Sequence, residues 1–129
     1  MPKFGERSLG HLKQLHPLLQ KVMNEAIQHY DFSIIESYRD KAAQNKAFKE
    51  GKSKAKFGQS AHNYKPAVAV DCVPYPLDWN NTTEFNKMGA QILAAAEKVG
   101  VPIRWGKYFT GLVDMPHFEL HPWKDYIKK

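Results

Sequence analysis

The chain has 129 residues, 43% of them hydrophobic and 25% charged, with a formal net charge of +6. That length suits one domain with an ordinary core, residues 1–129 as a single unit, and no apolar run approaches the roughly 20 residues of a membrane span. A single cysteine, Cys72, excludes an internal disulfide and the paired-cysteine spacing of a zinc finger. Nothing apolar follows the charges of Met1 to Arg7, so no secretory signal is read there and synthesis in the cytoplasm is expected. The positive balance points to an anionic partner: nucleic acid, an acidic membrane surface or an acidic polymer such as a cell wall. Its densest run holds Lys46, Lys49, Lys52, Lys54 and Lys56, either a solvated helix end and loop or a face that attracts a polyanion.

In chain order, Ser8 suits the cap of a short helix running to Leu15, and His16-Pro17 breaks it, with Pro17 at the first position of the next helix. Leu18, Leu19, Val22, Met23, Ala26 and Ile27 repeat with helical spacing and predict a core-facing stripe. Phe32 to Ile35 reads as a short strand. Asp40 caps a helix to about Glu50, and Gly51 stops it. Residues 52–66 are polar and aperiodic, a loop. Ala67 to Val73 is small and β-branched, a buried strand ended by Pro74 and Pro76; Cys72 within it reads as a small core residue, with a thiolate role as the alternative. Asn81 and Glu84 open a helix that Gly100 closes. Val101–Trp105 and His117–Leu120 are two further strands, and Trp123 and Tyr126 in the tail are expected to dock on the body. The order predicts an α+β fold, a small antiparallel sheet packed on helices.

Two histidines and a carboxylate in this frame suit one metal ion. His62 ends the polar loop, and Asp71 interrupts an apolar strand, where a carboxylate is costly to bury unless paired or bound to a cation. Alternation alone also permits Asp71 to face water. In His117-Phe118-Glu119-Leu120, alternation puts His117 and Glu119 on one face, away from the core side and toward a cleft or solvent. His11, His16, His29 and His121 lack such partners and read as ordinary surface residues. Asp114 stands three residues before His117, and Pro116 disfavours helix between them, so a tight connection can hold this carboxylate near the histidine as a general base. Arg39 sits on a strand-to-helix turn. It either reaches the cleft to hold a carboxylate or oxyanion, or pairs locally with Asp40 or Glu36.

Ser37-Tyr38-Arg39 with Gln44, then Ser60-Ala61-His62, Ala69-Val70-Asp71, Asp114 and His117 together resemble the zinc D-alanyl-D-alanine carboxypeptidase-like peptidases. Within that group the pattern is most similar to the phage endolysins that are L-alanyl-D-glutamate endopeptidases. The resemblance implies one zinc ion per chain held by His62, Asp71 and His117, with Asp114 as general base and acid. It implies Arg39 at the scissile carbonyl or oxyanion, Ser60 in contact with substrate, Gln44 shaping the cleft, and Glu119 orienting a ligand. Two departures stand out. The His62-to-Asp71 interval is longer than is usual in the family, so the extra residues are expected to bulge from the loop between the ligands. Where members often have Trp-Gly-Gly, this chain has Trp105-Gly106-Lys107.

The leading expectation is a phage endolysin, a monomer that hydrolyses the L-alanyl-D-glutamate bond of bacterial peptidoglycan. It would be made in the host cytoplasm and act on the wall after release. A D-alanyl-D-alanine carboxypeptidase or dipeptidase would use the same metal site, and a basic nucleic-acid-binding module would leave the histidine–carboxylate set unexplained. A glycosidase would need paired carboxylates without metal. Whether the loop from Gly106 to Gly111 closes one end of the groove, as a carboxypeptidase requires, is left open by the sequence.

Overall fold

A computed structural model describes residues 2–110 and 113–127; Gly111, at the end of the loop just named, lies outside them. Two helices lead the chain, α1 (Glu6–Leu12) and α2 (Pro17–Ala26). Strand β1 (Phe32–Glu36) and helix α3 (Lys41–Lys49) follow, then β2 (Ala69–Pro74), the long helix α4 (Thr82–Val99), β3 (Ile103–Trp105) and β4 (His117–Leu120). The four strands form one antiparallel sheet in the order β1-β2-β4-β3. The fold is α+β, as the alternation of periods predicts.

The local signals mostly act where expected. Pro17 opens α2, with the His16 side chain accepting from Leu18 N. The Asp40 carboxylate accepts from Ala43 N, Asn81 caps α4, and Gly100 ends it at φ +73°. Gly51 also takes a left-handed conformation, φ +76°, where a Cβ would be strained. The first helix is an exception. It starts after Gly5 and stops at Leu12, and Ser8 lies inside it. The Ser8 hydroxyl instead accepts from Ile34 N across the gap to β1, so a tertiary bond claims the residue that would otherwise cap. β2 likewise begins at Ala69 rather than Ala67, because Ala67 bonds back to Gln14 O and His16 N in the N-terminal turn.

The core lies on one face of the sheet. Leu19, Val22, Met23 and Ala26 of α2 and Phe85, Met88, Ile92 and Ala96 of α4 bury their stripes against Val70, Cys72, Phe118 and Leu120. Burying each large side chain contributes about 1.5–3 kcal/mol. Cys72 is wholly buried; burial pushes its thiol well up and its Sγ approaches Met23 Sδ at 3.6 Å, so it is a core residue. Trp105 stacks on Phe118, and its indole N–H donates to Met115 O at 2.7 Å. Gly89 makes room for that ring: a Cβ there would lie 2.1 Å from Trp105. In the tail, Trp123 and Tyr126 pack against the body as expected.

Candidate active site

The other face of the sheet carries the polar set. Asp71 on β2 pairs in register with His117 on β4 and, on its other side, with Glu36 on β1, just past an irregularity between Ile34 and Glu36. Directly opposed residues share a face. The intervening pair, Val70 and Phe118, points into the core. Alternation therefore assigns the faces correctly, but the His117 face is not open to solvent: His117 and Glu119 are both 6% exposed. Asp71 is largely covered too, so the water-facing alternative does not hold.

His62 arrives from outside the sheet. It sits in a 3₁₀ turn, Ala61–Asn63, that the Ser60 hydroxyl caps by accepting from His62 N. The extra residues between His62 and Asp71 are taken up by a loop closed by Val68 N donating to Ala61 O. The result is a near-equilateral triangle. His62 Nε2 lies 3.1 Å from Asp71 Oδ1 and 3.1 Å from His117 Nδ1, and His117 Nδ1 lies 3.2 Å from Asp71 Oδ1. The outer nitrogens are engaged: His62 Nδ1 donates to Ser37 O at 2.8 Å, and His117 Nε2 donates to Glu119 Oε1 at 2.6 Å. Each bond aims the remaining nitrogen at the triangle's centre.

Electrostatics here follow from burial and contact. Burial works against the Asp71 charge, but His62 and His117 outweigh it and hold this carboxyl well below the ordinary range. Burial likewise opposes a charged His117, yet its bonds to Asp71 and Glu119 push it up to about 10. A metal ion held here needs His117 Nδ1 and the Asp71 carboxylate free of protons. The donor set fits zinc: two imidazole nitrogens and one carboxylate oxygen, leaving a fourth position for chemistry. Tetrahedral zinc with bonds of about 2.0–2.2 Å puts ligand atoms about 3.3–3.6 Å apart, near the observed edges.

A cleft of about 500 Å³ opens over the triangle, lined by Arg39, Ser60, His62, Asp114 and His117 among others. Asp71 lines the adjoining cavity. Arg39, Ser60, His62, Asp71, Asp114 and His117 thus border one continuous groove. Burial and the Asp71 charge raise the Asp114 carboxyl above its usual value, partly offset by His117, His62 and Arg39. Its backbone is fixed by Asp114 N donating to Gly106 O at 2.9 Å, and a Cβ on Gly106 would lie 2.1 Å from Asp114 O. Lys107, in place of the second glycine, turns away from the cleft to donate to Asn86 on α4. Phe109 and Thr110 line the cleft instead.

Arg39 pairs with Glu36, not Asp40: Nε and Nη2 donate to its two carboxylate oxygens at 2.7 and 2.9 Å, and Nη1 donates to Gln44 Oε1 at 3.0 Å. A guanidinium has five N–H donors, so two remain for a ligand. The local pair with Glu36 thus fixes a guanidinium that also lines the cleft. Gln44 is fully buried and more than a wall. It accepts from Arg39 and from Asn63 Nδ2, and donates to Ser53 Oγ and Ala55 O. Asn63, which sequence reasoning passed over, ties Gly58 and Ser60 to Arg39 and Gln44. Its visible signal is the Ser60-x-x-Asn63 capping spacing.

Residues 1–121 match the family described as phage L-alanyl-D-glutamate peptidase. The chain belongs to that family. It is a peptidase. It is 30% identical over 109 residues to the L-alanyl-D-glutamate peptidase of Escherichia phage T5, covering 81% of this chain and 79% of that one. The crystal structure of the L-Ala D-Glu endopeptidase ChiX of Serratia marcescens superposes with a TM-score of 0.81 at 28% identity, over 96% of this chain and 93% of that one.

Proposed function

We propose that this peptidase is a zinc-dependent endolysin that cuts the stem peptide of bacterial peptidoglycan between L-alanine and D-glutamate. In this reading His62, Asp71 and His117 hold the metal. The observation that carries it is the triangle of donor atoms, 3.1–3.2 Å on a side, with both outer histidine nitrogens already committed. Bound zinc supplies Lewis acidity toward a carbonyl oxygen and lowers the pKa of water toward neutrality.

The chain's own residues supply the rest. Asp114, its carboxyl raised by burial and by Asp71, takes the proton of the attacking water and returns it to the departing amine of D-glutamate. Arg39 offers its two uncommitted N–H groups to the carbonyl oxygen as negative charge develops there, and Glu36 and Gln44 keep the guanidinium from swinging away. The Ser60 hydroxyl accepts from His62 N and keeps its proton for a substrate oxygen. Two cavities adjoin at Arg39 and Asp114, which supports a groove running past the reaction centre in both directions, as an endopeptidase needs.

No helix among the described residues is long and apolar enough to cross a membrane. We place the chain's work on the wall, reached after release from the cytoplasm. Digestion of purified peptidoglycan tests the assignment. Mass spectrometry should find new D-glutamate amino termini, uncut glycan and no free D-alanine, and a chelator should stop the reaction. D-alanine or its dipeptide as the main product would replace the endopeptidase with a carboxypeptidase. Full activity in chelator would remove the zinc.

A further inference from the structure

We infer that the second cavity is a glycan-side subsite in which Trp79 stacks on the amino sugar that carries the stem peptide, an inference that rests on the bond assignment above. This cavity, about 570 Å³, shares Arg39, Lys52 and Asp114 with the catalytic cleft and so continues the same groove. Its lining differs in kind. Ile35, Trp79 and Val113 are large apolar side chains 42%, 59% and 61% exposed, and all three line this one cavity. Exposed apolar side chains gathered in one concave place mark a binding surface more often than scattered ones do. The Trp79 ring is held from behind by stacking on Phe85, at 5.7 Å and 22°.

Charge separates the two sides. Arg39 and Lys52 line both cavities, and they pair with Glu36 and Glu50 of the second. Beyond these, the second cavity adds one cation and one carboxylate, Lys46 and Asp71, whereas the catalytic cleft adds Lys54 and Arg104, with its own carboxylate Glu119 committed to His117. The substrate is asymmetric in the same sense. Beyond D-glutamate the stem bears free carboxylates. Beyond L-alanine lies a lactyl ether on a neutral N-acetylated sugar, whose C–H face suits an indole ring. The cationic cleft therefore takes the D-glutamate side and the balanced, apolar cavity takes the sugar.

Two soluble substrates test this: the free stem peptide, and the same peptide with N-acetylmuramic acid on its amino end. The wild-type chain should prefer the muramyl peptide by about tenfold in kcat/KM, mainly through KM, the scale of one good aromatic contact. Trp79→Ala should collapse the ratio between the two substrates, and Trp79→Tyr should restore most of it. Arg104→Gln should weaken cleavage of both substrates alike. Equal kcat/KM for both substrates in the wild type, or a ratio that Trp79→Ala leaves unchanged, overturns the sugar subsite while the bond assignment stands. Cleavage of neither substrate, by a protein that still releases D-alanine from walls, overturns the bond assignment and the subsite with it.

Discussion

Asp71 and His117 face each other directly across β2 and β4, with His117 Nδ1 3.2 Å from Asp71 Oδ1. Two of the three prospective ligands are thus set by strand register. A one-residue slip of either strand would send its own ligand into the core and bring Val70 or Phe118 to the cleft. The third ligand, His62, depends on a capped turn and a buried amide network instead.

That division predicts how metal binding responds to substitution. Wild-type protein dialysed free of loose ions should retain about one zinc per chain, and His117→Ala should lose it. Glu119→Gln keeps the shape but weakens the acceptor that orients His117, so zinc affinity should fall by about tenfold or more. Competition with a coloured chelator reads both. An unchanged affinity in Glu119→Gln would mean that Glu119 does not support the ligand.

Asp114→Asn separates base from ligand. Zinc content should persist while turnover falls by roughly 10²-fold or more. The pH profile gives a second readout. The base works ionised, so activity rises with pH as Asp114 loses its proton. Because burial and Asp71 raise its pKa, the acid limb of kcat/KM should lie above the ordinary value of 3.8. Asp114→Glu should keep such a limb, and the residual activity of Asp114→Asn should lack it. Loss of zinc in Asp114→Asn would make Asp114 a ligand.

Gly106→Ala probes the contact that holds the catalytic loop. The new Cβ would press on Asp114 O, a backbone atom that cannot rotate aside. Displacement of Asp114 by about 1 Å should cost about 10²-fold in kcat, with overpacking costing about 1–3 kcal/mol of stability. Zinc should remain, since β2 and β4 are untouched. Normal turnover in Gly106→Ala would show that the loop tolerates the shift.

The lysines at 46, 49, 52, 54 and 56 are all exposed. If this face draws the enzyme to an anionic envelope, salt should weaken lysis of intact walls, because exposed charges more than about 8–10 Å apart are screened near physiological ionic strength. Cleavage of a small soluble stem peptide should change much less. Turbidity and peptide assays over the same salt series make the comparison, and equal sensitivity would argue against targeting.

Much of this protein is written in local sequence. Pro17, Asp40, Gly51, Asn81 and Gly100 set helix ends through their own backbone and side-chain chemistry, which needs no distant partner. Strand alternation was also enough to separate Asp71 and His117 from Val70 and Phe118, because the side-chain period of a strand is fixed by its pleat. The family resemblance singled out Arg39, Ser60, His62, Asp71, Asp114 and His117, which the structure brings around one groove. Tertiary structure decided what local rules cannot reach. Ser8 gave up a cap for Ile34 N, and Ala67 left its strand for Gln14 and His16, since long-range hydrogen bonds outcompete weak local preferences. Burial of both sheet faces turned apparent surface residues into a closed donor triangle. The network through Asn63 and Gln44, and the groove past Trp79, exist only once distant segments pack, because no periodicity links those positions in the chain.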